Sequence, residues 1–474
     1  MHFAHSAGKT VLTVHVGYYK VLRSEVEVLG IDAHMNCLIR KMNKLITYAA
    51  LIVAFCLPQQ AFAIPSFSRQ TGIDCQACHS QHMPILNDFG QSFKASGYRT
   101  VGKQSTIESE NLSIPESLNA SMLLKVSYQR SNGSADTIPG TSTNGGQWQF
   151  PDEFSLFFGG RIASNIGFFF EGNTATDSNF VSAFKLPTAI ELRGYNLSVI
   201  PFMTSTLGAS YGYEQANTGA VRNGTWAAHR KEVSAQQYAG TDGAATGIAL
   251  VAINDKGYIN LSRWAPAGFA RSGYAQVLRS TYLRVAATPK IDTQTFGEWA
   301  LHMGAQVWAG SNFARNTTGS LVAVSTRAIA LDIQAFGQLN DQDVSLYATW
   351  AKSPAGSAPE PNIFNVESNA TGELDPTKYR LNDRKALTVG VDYSVIQNTL
   401  HVGAAIRSAK NGGQSGLAVA GENASDHAIT LTTVYNIAQN IELHVGHSVH
   451  FGTLYDIPQS TGNIFTSVLL QAAW

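Results

Sequence analysis

From about residue 118 to the C-terminus, polar and apolar positions alternate with a period of two, the spacing of a strand with one wet and one dry face. Asn119, Ser121, Lys125, Ser127 and Gln129 fall on one phase, and Ala120, Met122, Leu124, Val126 and Tyr128 on the other. Near the C-terminus Ile441, Leu443, Val445, Val449 and Phe451 alternate with Glu442, His444, Gly446, Ser448 and His450. Two segments look alike and read as hairpins: residues 393–398 lead into Thr399-Leu-His-Val-Gly, and residues 435–440 into Ile441-Glu-Leu-His-Val-Gly. Asn254-Asp-Lys-Gly257 is a tight-turn sequence between two strand-like runs.

Segment lengths add an asymmetry. Tight connections are expected near 163–165, 201–202, 254–257, 339–342, 395–398 and 436–440, with a slightly longer one near 288–295. They alternate with polar loops near 131–151, 174–188, 213–245, 265–278, 309–322, 353–383, 409–425 and 453–462. Short turns on one side and long loops on the other are the outer-membrane pattern. They predict a mainly β fold, a transmembrane barrel of about sixteen strands with both barrel ends on the short-turn, periplasmic side. The chain closes on Val468, Leu470, Ala472 and Trp474, and a terminal aromatic is familiar from bacterial outer-membrane barrels. A large soluble β-protein is the competing reading of the same alternation.

Composition agrees with the barrel. Charged residues make up 14% of the chain, glycine occurs 42 times, and no long apolar run follows the N-terminal region. A net charge of zero gives no reason to expect a nucleic-acid partner.

The N-terminus reads as an export signal. Arg40, Lys41 and Met42-Asn-Lys-Leu form a basic region, residues 46–57 are apolar but too short to span a membrane, and Ala61-Phe62-Ala63 is a cleavage site before Ile64. Residues 1–63 are therefore expected to be an upstream extension plus signal peptide, with Met35 or Met42 as the start. Removing them takes away Cys37 and Cys56 and leaves Cys75 and Cys78, too few for a disulfide framework.

That remaining pair sits in Cys75-Gln76-Ala77-Cys78-His79, the attachment signature of a c-type haem. Two thiols at this spacing meet the two vinyl groups of one porphyrin from a helical turn, and the next residue presents its imidazole to the iron. Cys75 and Cys78 are the expected thioether anchors and His79 the proximal ligand. A redox or structural thiol pair with an incidental histidine is the alternative. A zinc site would need a second ligand pair, and none follows. One small helical haem domain is thus expected over 64–99, a linker over 100–117 and the barrel over 118–474.

Around the motif run Pro65-Ser-Phe-Ser-Arg69-Gln-Thr-Gly72 and then Pro84-Ile-Leu86-Asn-Asp-Phe89-Gly90-Gln-Ser-Phe93-Lys94-Ala-Ser-Gly97-Tyr98. This segment resembles the fused monohaem cytochrome–porins in the outer membrane of bacteria that oxidise ferrous iron, with a specific match over residues 65–98. Ser68 stands where a small apolar residue is expected. The resemblance implies an iron(II) oxidase-type electron-transfer protein with iron:cytochrome c oxidoreductase activity. It also implies extracellular Fe(II) as donor and a periplasmic cytochrome or copper carrier as acceptor.

Because the haem segment precedes the first strand, it starts on the periplasmic side. An electron must cross roughly 25 Å of hydrocarbon, so the haem is expected inside the lumen, near the extracellular mouth. The distal ligand stays open. His82 and Met83 would lie on the same side of the ring as His79 on a continuing helix, yet are available if the helix breaks at Pro84. His302, His401, His444 and His450 fall on the lumen phase of their strands, whereas Met122, Met203 and Met303 face lipid. Glu360, Glu367, Glu373 and Asp375 in the loop 353–383 could meet iron as hard ligands, though ordinary solvated loop charges read the same way. A haem-bearing porin with another donor or acceptor, and a solute channel plugged by the haem segment, are the other readings. No hydrolase elbow, phosphate loop or metalloprotease motif is present.

Overall fold

The computed structural model describes residues 66–474 except 103, 111, 135–143, 175–179, 215–232, 267–276, 294–296, 358, 369–373, 414–422, 458 and 460. The export signal, the position of Pro65 and the loop acid Glu373 lie outside these residues, as does the side chain of Glu367.

Sixteen antiparallel staves close into a barrel. In chain order they are β1 Ala120–Ser131, β2 Gln147–Ala163, β3 Ile166–Asn173, β4 Val181–Lys185 with Thr188–Leu192, β5 Tyr195–Thr204, β6 Ala245–Asn254, β7 Gly257–Ala265 and β8 Ser280–Ala287 with Lys290–Thr293. They continue as β9 Gly297–Ala309, β10 Ala328–Leu339, β11 Gln342–Ser353, β12 Arg384–Ile396, β13 Leu400–Lys410, β14 His427–Ala438, β15 Ile441–Phe451 and β16 Ile464–Ala473. The last stave pairs with the first, Gln471 opposite Lys125, so no edge is left open.

Prolines explain the two broken staves. Pro187 and Pro289 cannot donate to a ladder, but their carbonyls still accept, from Gly167 N at 3.0 Å and Leu301 N at 2.9 Å. This corrects two expected connections. Residues 288–289 are a break inside β8, not a turn. Residues 201–202 lie inside β5, where Pro201 faces the break in β4 and its carbonyl accepts from Leu186 N. The turn is instead Arg193-Gly194, with φ of 53° and 80°. Asn340 and Asp341, at 53° and 60°, make the same kind of two-residue hairpin.

The alternation divides as expected, polar inward and apolar outward. On β15, Glu442, His444 and Ser448 are buried while Val445, Val449 and Phe451 are exposed. Ile406 is 58% and Leu431 56% exposed at mid-strand, which a water-soluble fold would bury. A closed barrel with a dry exterior and a wet interior is an outer-membrane barrel.

Two inserted pieces occupy the lumen. The long loop between β5 and β6 folds inward through a turn of 3-10 helix, Ala209–Gly212, and a short helix, Ala235–Ala239, burying Tyr213 and Tyr238. The N-terminal piece contains helix α1, Ser66–Thr71, a 3-10 turn, Cys75–Ala77, and helix α2, Asp88–Ala95. The expected linker 100–117 holds a hairpin of its own, Thr106–Ser109 with Leu112–Pro115.

Candidate haem site at the short-turn mouth

Helix α1 is fastened by Gln70. Its amide donates to Tyr98 O (2.7 Å) and Thr100 O (2.8 Å) and accepts from Arg161 N (3.2 Å), tying both ends of the segment to β2. Arg69 donates to Ala120 O on β1. Phe67, Phe93, Tyr98 and the wall residue Phe169 form an aromatic knot with centroids 5.1–6.0 Å apart. Gly167 must be glycine here, since a Cβ would lie 1.9 Å from Gly97 O.

The attachment turn is stapled back on itself. Cys78 N and His79 N both donate to Cys75 O (3.0 and 2.9 Å), and Asn87 N donates to Cys78 O at 3.0 Å. The Asn87 side chain caps α2 by accepting from Gly90 N at 3.0 Å. Both cysteines are free thiols, and burial pushes each thiol upward from its usual range. His79 Nδ1 lies 3.2 Å from Ile85 O. A carbonyl can only accept, so Nδ1 carries the proton and Nε2 keeps its lone pair, the tautomer that metal ligation requires. Burial also lowers the His79 pKa, although Glu442 opposes the shift. Two reduced thiols on one turn beside an imidazole of this tautomer fit a covalent haem.

The helix does not continue past His79. Residues 80–85 reverse the chain, with Ser80 N donating to Ile85 O (3.0 Å) and Gln81 at a φ of 59°. His82 and Met83 are therefore carried away from the turn and into the wall, and the expected shared face with His79 is corrected. Gln81 donates to Asp343 O (3.1 Å) and accepts from Ser345 Oγ (2.7 Å), while Met83 N donates to Glu442 Oε1 (2.8 Å). The His82 ring lies 5.9 Å from those of both His401 and His444. His444 Nε2 is 3.0 Å from Glu442 Oε2, and Ser394 and Asn436 flank His401 at 3.0 and 3.2 Å. Burial lowers the His82 pKa to about 4, so its imidazole is neutral at pH 7.

Of the six distal candidates, the fold brings His82, His401 and His444 together, with the Met83 backbone beside them. His302, on β9, stands apart, edge-on to Phe336 at 5.7 Å, and its Nδ1 has no hydrogen-bond partner among the described residues. His450 is at the other end of the barrel, stacked on Tyr455 at 5.9 Å, too far along β15 to join the others. Glu442 was missed as a site residue. Its signal is a carboxylate on the lumen phase two positions from His444. Among the described residues, no group of three or more His, Cys, Asp or Glu is set to hold a bare metal ion.

The wall residues that hydrogen-bond the segment include Asn196, Lys290, Asp343, Asn436 and Glu442, each near a short turn. The expected place near the extracellular mouth is therefore corrected. The chain enters β1 from the short-turn side and docks there.

No protein-family model and no curated protein matches the chain. Among solved structures it is similar to the outer membrane channel DcaP of Acinetobacter baumannii, at 9% identity and a TM-score of 0.44, covering 78% of this chain and 100% of that one. It is also similar to outer-membrane expressed OmpT of Vibrio cholerae (12%, TM-score 0.41, 78% and 100%) and to Salmonella typhi OmpF in complex with daunomycin (14%, TM-score 0.44, 78% and 100%).

Proposed function

We propose that this chain is an outer-membrane electron-transfer cytochrome. One c-type haem would be bound covalently through Cys75 and Cys78 and ligated by His79, taking electrons from extracellular Fe(II) and passing them to a periplasmic cytochrome or copper protein. The observation that carries the reading is the attachment turn itself: two free thiols on one turn of helix, followed by a histidine whose Nδ1 is committed to Ile85 O. Bound there, the haem supplies a one-electron carrier whose potential its ligands and their surroundings set.

The protein's own groups do the rest. Ile85 O orients the His79 ring. Gln81 and Met83 N moor the segment to the wall. A short-turn position for the attachment turn suits delivery of the electron to a carrier on the periplasmic side. Fe(II) as donor rests on the resemblance over residues 65–98. Spectra of intact membranes test it: the reduced haem bands should rise promptly on adding ferrous iron, and bands that stay oxidised refute the donor.

A solute channel with a haem plug is the second reading, favoured by sixteen staves enclosing a polar lumen. Liposomes carrying the intact protein should not swell in sugars if the inserted segments close the passage. Rapid swelling would favour the channel.

A further inference from the structure

Arg69, Asp88 and Arg99 of the N-terminal segment each make a side-chain hydrogen bond, and Lys94 makes none among the described residues. Helix α2 crosses the attachment turn at Gly90, where a Cβ would lie 2.2 Å from Cys78 O. Lys94 is four residues further on, so it lies on nearly the same helix face one turn, about 6 Å, beyond that crossing. Phe93 turns into the aromatic knot and Ala95 O is taken by Asn196 Nδ2 at 2.7 Å. The Lys94 ammonium itself has no hydrogen bond among the described residues.

Among the described residues its surroundings hold as many cations as anions. Lys94 interacts electrostatically with Glu214 and Arg284, and Lys185 with Lys94 and Glu214. Arg284 is already committed, forked onto both oxygens of Asp332 at 2.8 Å and to Tyr258 Oη at 2.7 Å. Among the described residues, Lys185 Nζ meets Tyr211 O at 2.9 Å and the face of the Tyr211 ring at 3.9 Å. Neither lysine makes an ion pair among the described residues, and cations withdrawn from water call for a counter-charge.

We propose that Lys94, with Lys185 beside it, binds the propionate carboxylates of the haem carried by the Cys75–His79 turn. The proposal rests on the function argued above. Thioether links take the vinyl edge of the porphyrin, so the two propionates project from the far side of the ring, away from Cys75 and Cys78. A helix that starts over the attachment turn and presents a lysine one turn later supplies a cation for that far edge. Charge-assisted bonds from ammonium to carboxylate are the strong kind, and they hold the ring without touching the iron.

The test uses the full-length, haem-loaded protein in detergent, with the reduction potential read by spectroelectrochemistry from pH 5 to 9. Lys94→Met should keep its covalent haem stain, because the thioethers are untouched. Losing a cation beside a propionate favours the ferric state, so the one-electron reduction equilibrium should fall about tenfold, a drop of about 59 mV. Lys94→Arg should restore the parent potential, and Lys185→Met should shift it in the same direction by less. Resonance Raman bands of the propionates should move in Lys94→Met and stay in place in Lys94→Arg. An unchanged potential and pH profile in both Met variants, with haem attached, overturns the proposal and leaves the cytochrome reading intact. A colourless parent protein refutes the cytochrome reading itself. Should Lys94→Met fail to assemble, Lys94→Gln and Lys185→Met carry the same expectation.

Discussion

At the short-turn mouth, residues 66–102 grip the wall with side chains that reach backbone. Gln70, Arg69 and Gln81 all work this way, and Met83 N takes the wall carboxylate of Glu442. At the long-loop end, the described parts of the loop between β5 and β6 pack into the lumen against aromatic rings and paired charges. Asn260 donates to Tyr213 O (2.9 Å), Arg384 and Arg407 lie 5.0 and 4.6 Å from the Tyr238 ring, and Arg407 pairs with Asp426 at 2.6 Å. Trp264 and Trp308 pack on Phe364 at 6.0 and 6.2 Å. The two regions bury comparable chemistry for different ends. The long-loop filling pairs its charges and leaves neutral groups such as the Gln236 amide and Trp264 Nε1 without a partner among the described residues, whereas the short-turn segment leaves over two thiols, the Nε2 of His79 and the ammonium of Lys94.

The comparison can be broken most decisively at the thiols. Replacing Cys75 and Cys78 together by alanine should abolish covalent haem stain while the barrel still shows its heat-dependent gel mobility. Retained stain would mean the short-turn region does not hold the group. Within the lumen, Arg284→Met removes the ion-pair partner of Asp332 and should cost about 3–5 kcal/mol in urea unfolding followed by gel shift. The pair Arg284→Met with Asp332→Leu should recover most of it. The lipid face makes a third contrast: Leu431→Lys near mid-strand should cost about 2–4 kcal/mol in the same assay, and a neutral result would argue against a buried belt. Glu442→Gln should loosen the mooring by about 1–3 kcal/mol, read as faster proteolysis of residues 66–102 with the barrel intact.

Acid should act on the same mooring. The docked His82 has a lowered pKa, so the undocked segment binds more protons between about 4 and 6.5 and docking weakens as pH falls through that window. His82→Asn should flatten the pH dependence of the proteolysis rate. An equally steep profile in the variant would assign the effect elsewhere.

Much of the barrel is legible from alternation, because the two-residue period reports directly which side chains face lipid. Glu442, His444 and Val445 read correctly for that reason. Turn positions are less so: Pro201 looks like a turn signal, and only the neighbouring break at Leu186-Pro187 shows why a strand tolerates it. The Cys75–His79 turn stands out in the sequence because its spacing is local. What the sequence hides is everything that barrel closure creates. His82 meets His401 and His444 across more than three hundred residues, and no local pattern distinguishes them from His302 or from His450 at the opposite end. The segment's docking at the short-turn mouth is hidden likewise, since it depends on which strand ends the carbonyl acceptors occupy.

The central claim is tested most directly by the intact mass and pyridine haemochrome of the protein purified from a haem-attaching host. One haem covalently bound per chain, localised by peptide mapping to the fragment containing Cys75 and Cys78, is the result expected. A colourless barrel whose two thiols both react freely with a thiol reagent would contradict it.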